Sequence, residues 1–389
     1  MKRVFPILAI AVFSSTLGVG IIAPLLPLYA ESLGASGIWI GVIFAGFAIS
    51  RALFMPLVGH ISDRKGRRMF ICTGLFVYAV ISLGYIWASQ VSELTFIRLM
   101  HGLASAMVVP IAQAYIGELS PKGEEGTWMG YFNAAFIAGF GFGPLMGGVL
   151  TDYFSMETAF YAMGVLNLLA FLLAFFLLPE VRRRKESDKV PQPPLPRMRE
   201  SGIIKGLFSF RTAQSFGMGA FMTFFPLFAA SSLDPGLSFG QIGAVLAIYL
   251  LLISIASLFS GRIADVFNRK GLVILGSLVS LSFLALIPTM QNFWQLVGLC
   301  IFGAVGGALS LPAASALTVE EGKKYGMGSA MAVFTMAMSI GMAVGPITGG
   351  LIADLMNIDS VFYFGAGMGL LGIGLFIWFT RPQSKPQLT

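Results

Sequence analysis

Two ionisable residues, Arg98 and His101, lie three positions apart in an otherwise apolar stretch, and Ser105 follows four positions later. At about 100° per residue the three side chains share one face of a helix. An arginine can donate a forked pair of hydrogen bonds to a carboxylate or phosphate, and a histidine can exchange a proton near neutral pH. Ionisable side chains inside an apolar stretch are costly and are therefore candidates for a functional site; a structural hydrogen bond is the alternative for Arg98, and a satisfied polar contact is the alternative for His101.

Other side chains in apolar stretches could help to enclose a ligand: Gln113, Tyr115, Gln214 and Phe225. By contrast, no Asp or Glu lies in the middle of such a stretch. A deep site of positive or neutral character favours anionic, zwitterionic or neutral amphipathic compounds over cations. The candidate carriers of a coupled proton are three acids at the edges of the stretches and the histidine: Glu31, Asp63, Asp152 and His101.

The side chains that enzymes and metal sites need are scarce. The chain holds two Cys and two His, which gives no metal-ligand spacing. No central carboxylate dyad and no Ser-His-Asp set is evident. We therefore predict neither an enzyme, nor a metal site, nor a bound cofactor.

The stretches that hold these residues have the length of membrane helices. The chain is 56% hydrophobic and 11% charged, whereas a soluble domain carries about twice that share of charge. About 20 apolar residues cross a bilayer, and helices satisfy their own backbone there. We predict twelve spans, near 5–30, 38–60, 69–88, 93–117, 128–150, 158–178, 207–231, 239–261, 270–288, 292–317, 327–351 and 360–379.

The second half of the sequence repeats the first at an offset of 202 residues. The shared positions include Pro24 and Pro226, Asp63 and Asp265, Arg67 and Arg269, Asp152 and Asp354, and the runs 139–148 and 341–350. Two equivalent membrane halves around a central site are typical of secondary transporters. We predict an all-α membrane protein of two pseudo-symmetric six-helix bundles, over residues 1–178 and 207–389, joined by a cytoplasmic linker over 179–206.

Lys and Arg lie on one side of the predicted bundle. Most fall in the terminal segments, the linker and alternate loops, whereas the six loops of the other side hold none. Only Arg51 and Arg98 lie inside predicted spans, and Arg211 lies at the inner start of helix 7. Because Lys and Arg mark cytoplasmic loops, we predict a multi-pass protein of the cell (inner) membrane with cytoplasmic N- and C-termini. The net charge of +7 is then a topology signal. We predict a lipid bilayer rather than nucleic acid as the partner, and a monomer.

Four motifs fall in these predicted helices and loops. Residues 59–68 read Gly-His-Ile-Ser-Asp-Arg-Lys-Gly-Arg-Arg, and residues 98–102 read Arg-Leu-Met-His-Gly. Helix 5 carries the glycine- and proline-containing run 139–148, and helix 1 carries Gly-Ile-Ile-Ala-Pro-Leu-Leu-Pro over 20–27. Together they resemble the signature motifs of the major facilitator superfamily and of its twelve-span drug:proton antiporters, although His101 stands where that family usually has Gln. In that family helices 1, 4, 7 and 10 line the cavity, so the resemblance implies that Arg98, His101 and Ser105 line it here.

The loop motif implies a gate at the cytoplasmic face. The charge of Asp63 can pair with Arg67 or face the N-terminus of a neighbouring helix, where the dipole favours an anion; the resemblance makes that neighbour helix 11. Glu118 could share the same cations, and ordinary topology charge is the alternative for the basic residues. The predicted gating residues are Gly59, Asp63, Arg64, Arg67, Arg68 and Glu118.

The glycine run predicts a tight contact between helices. Its glycines recur every four residues on one helical face, which lets backbones approach closely, and its proline bends the helix. The resemblance adds that this contact seals the protein against leak in one state and that transport is outward. The predicted packing residues are Gly139, Gly143, Pro144, Gly147, Gly148, Gly345 and Pro346.

The function that these features predict is secondary active transport by alternating access. The substrate is a small amphipathic compound, drug-like or a metabolite, that is exported in exchange for protons. Uptake or facilitated transport of a sugar, an organic anion or a lipid-like molecule is the alternative. Arg51 lies near the middle of helix 2, and structural pairing, gating and substrate contact all stay open for it.

Overall fold

The computed structural model describes residues 3–121, 124–180, 201–325 and 327–381 of the 389-residue chain. At a few positions inside helices, Asp63 among them, only the backbone is described. The predicted linker lies outside the described residues over 181–200.

The described residues form twelve long α-helices, which confirms the predicted all-α fold. A short 3₁₀ turn, Ile287–Thr289, extends the ninth helix. Eleven of these helices are long and apolar enough to cross a membrane. The helix that does not meet both conditions is α7. The helices are α1 (Phe5–Ser32), α2 (Gly37–Lys65), α3 (Arg67–Trp87), α4 (Val91–Leu119), α5 (Glu125–Tyr153), α6 (Met156–Leu177), α7 (Gly202–Ser231), α8 (Phe239–Val266), α9 (Arg269–Leu286), α10 (Phe293–Tyr325), α11 (Met327–Leu355) and α12 (Ile358–Thr380).

Helix α7 begins inside the segment predicted as linker. Its first residue is Gly202, because the hydroxyl oxygen of Ser201 accepts a hydrogen bond of 3.3 Å from the backbone N–H of Ile204 and caps the helix. The helix therefore begins five residues before the predicted start of the span at residue 207. As a consequence Arg211 lies nine residues inside the helix, about 14 Å along its axis at 1.5 Å per residue.

Within each half, a glycine face packs two helices at backbone distance. In the first half a Cβ at Gly143 would stand 2.6 Å from the Cα of Gly20, so α5 lies directly on α1. In the second half Gly345 of α11 lies against the backbone of Phe216 in α7. No side chain fits at such a distance. The glycines therefore hold each pair of helices together as one unit.

We call the end of the bundle where α1 begins and α12 ends the terminus face, and the other end the opposite face. At the terminus face, Arg67 of α3 donates hydrogen bonds of 2.8 and 2.6 Å to the carboxylate of Glu118 on α4. In the repeat counterparts, Nη1 of Arg269 lies 3.4 Å from Oε2 of Glu320. Each pair joins two helices of the same half. Exposed ion pairs contribute about 0–1 kcal/mol, so these two orient helix ends and add little to stability.

Candidate functional site

The two halves meet at the opposite face through a carboxylate at the end of α11. Asp354 accepts hydrogen bonds from the backbone N–H groups of Gly37 (2.6 Å, to Oδ1) and Ile38 (2.9 Å, to Oδ2), the first two residues of α2. The first N–H groups of a helix have no partner inside it, and the helix dipole favours a negative charge there. Asp354 thus joins the second half to the first.

The repeat provides a second contact of the same kind. Asp152, at the end of α5, accepts hydrogen bonds from the Ser238 hydroxyl (2.6 Å) and the Gly240 backbone N–H (2.8 Å) at the start of α8. We call Asp152 and Asp354, with the helix starts that they bind, the two carboxylate caps. The proton-carrier role of Asp152 stays a prediction, as does that of Glu31, which is exposed on the same face at the end of α1.

Below the caps the halves touch through their backbones. A Cβ at Gly41 of α2 would clash with the Pro346 carbonyl of α11, and a Cβ at Gly243 of α8 would clash with the Pro144 carbonyl of α5. Gly148 extends this contact against the start of α8. These helices therefore approach as closely across the two halves as they do within one half.

Apolar side chains also pack across the interface between the two halves. Ala23 of α1 packs into an apolar core that the second half provides. Phe224 and Leu227 of α7 pack into the core of the first half. Each half thus contributes residues to the core of the other, and the interface is closely packed toward the opposite face.

At the terminus face, the described contacts of the predicted gating residues stay within the first half. Arg67 pairs with Glu118 as above, and Arg68 donates a hydrogen bond to the backbone carbonyl of Phe175 in α6. Arg64 is exposed. These cations therefore brace α3 against α4 and α6 in this state.

The predicted gating residues Gly59 and Asp63 lie in the last two turns of α2, near the terminus face. A Cβ at Gly59 would meet nothing within 4 Å. The side chain of Asp63 lies outside the described residues, so its predicted contact with α11 stays a prediction. The described polar contacts that cross between the halves lie at the opposite face, at the two carboxylate caps.

Arg98 is buried between helices of the first half. Its guanidinium carbon lies 4.7 Å from the ring centre of Phe47 and 5.1 Å from that of Phe44, both on α2, and it lies beside the Tyr85 hydroxyl of α3. Aromatic faces attract a cation by about 0.5–2 kcal/mol. Its Nε and Nη1 atoms have no hydrogen-bond partner among the described residues. Its described contacts are structural, and substrate contact stays a prediction.

His101 is fully buried in the same cluster. Its Nδ1 atom lies 3.1 Å from the Tyr85 hydroxyl, and its ring stands edge-on to Tyr78 with the centres 4.7 Å apart. Ser105 is buried and lies close to the Tyr78 hydroxyl, which is also near Arg51. The face of α4 that carries these residues points toward α2 and α3.

Two further residues that were predicted to line the cavity are fully buried in this state, and their contact with a substrate stays a prediction. The Tyr115 hydroxyl donates a hydrogen bond to the Pro179 carbonyl just after α6, and Phe225 is fully buried against Phe221, with ring centres 5.0 Å apart. Helical spacing assigns residues to a face, but it does not say which neighbour that face meets. Gln113, by contrast, is exposed on the terminus-face half of α4.

Gln214 belongs to a polar cluster between α7 and α10 that contains Arg211. Its side-chain oxygen accepts a hydrogen bond of 2.8 Å from Arg211 Nη1, and its Nε2 lies 3.3 Å from the Ser310 hydroxyl of α10. The Arg211 guanidinium carbon lies 5.0 Å from the ring centre of Phe334 on α11. The predicted start of helix 7 had put Arg211 at the membrane edge. The N-cap residue Ser201 is the signal that would have put it inside the helix.

Known proteins resemble this chain over nearly its whole length. The family model described as Major Facilitator Superfamily matches residues 8–238 and again 207–389. The chain belongs to the major facilitator superfamily. It is a membrane transporter rather than an enzyme, as predicted.

Three relatives of this superfamily member cover almost the entire chain. An uncharacterized MFS-type transporter of Methanocaldococcus jannaschii is 30% identical over 94% of this chain and 95% of its own length. The multidrug resistance protein 2 of Bacillus subtilis is 28% identical over 100% and 98%. The quinolone resistance protein NorA of Staphylococcus aureus is 26% identical over 99% and 98%.

Solved structures share the fold of this superfamily member. A bacterial homolog of the human lysosomal transporter Spinster, in an inward-facing and unoccupied conformation, superposes with a TM-score of 0.83 at 13% identity, over 98% of this chain and 97% of that one. The nucleoside transporter NupG superposes with a TM-score of 0.76 at 16% identity, over 97% and 100%.

Proposed function

We propose that this superfamily member exports small amphipathic organic compounds in exchange for protons, across the inner membrane and by alternating access. The proposal draws on two relatives whose names state quinolone and multidrug resistance, at 26% and 28% identity. The distribution of Lys and Arg assigns the terminus face to the cytoplasm. The protein acts as a monomer, with the lipid bilayer around it.

The observation that carries the proposal is the one-sided closure of the interface between the halves. The two carboxylate caps and the backbone contacts below them join the halves at the opposite face. With the terminus face in the cytoplasm, the interior is open inward. An exporter takes up its substrate in this state, and rocking of the two halves then opens the other side.

In the other state the gate would form at the terminus face. Asp63 lies near the end of α2, and α11 begins at Met327. These two helices already touch at their other ends through Asp354 and at Gly41. Rocking about the contact at Gly41 brings the terminus-face ends together, where the start of α11 favours a carboxylate. The other predicted gating residues keep the first half rigid while it moves.

The residues along the interior favour anionic, zwitterionic or neutral substrates over cations. No Asp or Glu lies in the middle of a predicted span, and Arg211 is partly exposed beside Gln214. Phe334 and Met338 add an aromatic face and a thioether, which adapt to varied apolar bodies. For the coupled proton we retain the predicted candidates: Glu31, Asp63, Asp152 and His101.

Transport into inside-out membrane vesicles tests direction and coupling together. The probe is norfloxacin, a fluorescent zwitterion. We expect accumulation in the lumen when the lumen is acidic, and loss of accumulation when a protonophore is added. Asp63→Asn should abolish accumulation at normal protein levels, because the gate needs the charge.

Other results would contradict this proposal. Equilibration that ignores the pH gradient would favour facilitated transport. Norfloxacin driven out of vesicles with an acidic lumen would favour uptake.

A further inference from the structure

We propose that Arg211 receives the acidic group of the substrate, in a site that α7, α10 and α11 form. The substrate class is an amphipathic compound that carries an oxyanion, such as a carboxylate or a phenolate, beside an aromatic body. This inference rests on the transport function proposed above and assigns that function its recognition group.

The position of Arg211 requires a partner for its charge. The residue lies nine positions inside α7, about 14 Å from the start of the helix. Because its Nε is buried, the guanidinium is costly unless an anion, water or polar groups surround it. The described contacts of Arg211 are all neutral: Gln214, Phe334 and Met338.

These neutral contacts hold the guanidinium in place and leave donor capacity unused. Nη1 is held by Gln214, which in turn meets Ser310 of α10. The ring of Phe334 lies 5.0 Å from the guanidinium carbon. Nε is buried and has no hydrogen-bond partner among the described residues, and the neighbouring Thr212 hydroxyl also has none. A planar fork held in this way suits a carboxylate.

The cluster also provides contacts for the apolar part of such a substrate. Phe334 of α11 presents its ring face to the guanidinium. Met338 completes this side, with its sulfur beside the guanidinium. Aromatic and thioether groups accept flat apolar bodies of varied shape. An acid attached to an aromatic ring would meet Arg211 and Phe334 together.

The repeat indicates that the fold does not require this cluster. At the offset of 202 residues, Arg211 corresponds to Ala9, Gln214 to Val12 and Ser310 to Val108. Residues that recur at equivalent positions in both halves serve the architecture of both. The polar residues Arg211, Gln214 and Ser310 occur in the second half alone. The cluster is therefore available for a task that only one half performs.

Arg98 also lacks a basic counterpart, since Cys300 stands at the equivalent position. It is only 4% exposed, however, and its described contacts are with α2 and α3. Arg211 is partly exposed and meets α10 through Gln214. Of the two arginines, a ligand in the interior reaches Arg211 more readily.

The test uses three probes with one aromatic body and different charge: 2-naphthoic acid, 2-naphthamide and 2-naphthylmethylamine. Binding to the full chain in lipid nanodiscs is measured by equilibrium dialysis, and binding to empty nanodiscs is subtracted. We expect the acid to bind more tightly than the amine by about 10- to 100-fold, since hydrogen bonds to charged groups are the strong ones. Arg211→Gln should remove this preference and leave amide binding unchanged. Arg211→Lys should keep part of it, because the charge remains and the fork is lost.

Two further variants make the outcome decisive. Arg98→Gln removes the same charge from the first half and should keep the preference for the acid. Gln214→Leu keeps the charge of Arg211 but frees its side chain, and should weaken acid binding several-fold.

Three results would overturn the assignment: equal binding of acid and amine by the wild type, a preference that survives Arg211→Gln, or a preference lost in Arg98→Gln alone. If the neutral amide binds in any of these cases, the assignment of Arg211 as the recognition group is wrong, but the proposed transport function stands. If none of the three probes binds, the assignment also fails, and the norfloxacin experiment decides on the function separately.

Discussion

Removing both carboxylate caps should open the opposite face. Each cap holds two helix-start donors to one carboxylate. Loss of a helix cap costs about 0.5–2 kcal/mol, and loss of the charge at the dipole costs about 0.3–1 kcal/mol. We expect Asp152→Ala and Asp354→Ala each to destabilise the closed opposite face, relative to the open one, by about 1.5 kcal/mol. The double variant should destabilise it by about 3 kcal/mol, because the effects of distant substitutions add. At 1.4 kcal/mol per factor of ten, the open fraction should rise about tenfold per cap and about a hundredfold together.

The assay measures access from the opposite face to a thiol behind the caps. Ala23 is 8% exposed and packs against the second half, so Ala23→Cys places a small reporter in the closed region. The two native cysteines are buried and are replaced by serine. A membrane-impermeant maleimide is added to intact cells, and the labelling rate at position 23 reports the open fraction. Asp→Asn at either cap should have a smaller effect than Asp→Ala, because an amide oxygen still accepts the N–H groups.

The matched control is Glu31→Ala, which removes an exposed acid from the same face without touching either cap. It should leave labelling unchanged. The reasoning is refuted if the double alanine variant is labelled at the parent rate, or if Glu31→Ala raises labelling as much as a cap variant does.

Three further outcomes are expected. Gly41→Val should raise labelling at position 23 at least as much as one cap variant, because its side chain would clash with the Pro346 carbonyl; an unchanged rate would contradict the backbone contact. Tyr115→Phe should lower the free energy of unfolding by about 1 kcal/mol through the lost hydrogen bond and leave norfloxacin affinity unchanged; a changed affinity would support the predicted place of Tyr115 in the cavity. A double-mutant cycle on Arg67 and Glu118 should give a coupling of about 0.2–1 kcal/mol, and a much larger value would mean that the pair does more than brace one half.

The fold was predictable because the repeat and the apolar stretches impose it directly. Asp152 and Asp354 were visible as repeat counterparts, yet their role as caps was not. A cap depends on which helix start lies beside the carboxylate, and the starts of α8 and α2 belong to the other half of the chain. Sequence spacing carries no information about that pairing.

The direction of a side chain was harder to predict than the helix that carries it. Arg98, His101 and Ser105 do share one cluster, but it faces α2 and α3. Tyr115 faces the end of α6. Arg211 was misplaced for a different reason, since a five-residue error in the start of α7 put it four residues rather than nine inside the helix. Interior positions in a bundle are therefore most sensitive to errors in helix boundaries.

The contact of Gly41 and Gly243 with proline carbonyls separates the parts of this protein that can vary from those that cannot. The contact that closes this face is made by main-chain atoms, which every residue has. It requires only that two positions, Gly41 and Gly243, carry no side chain. Substitutions elsewhere along the interior leave these contacts intact. Under the proposed mechanism, the recognition surface can therefore diverge, even between the two halves, while the contacts that close the opposite face are kept. A transporter built in this way can acquire new substrates by single substitutions without having to rebuild its gate.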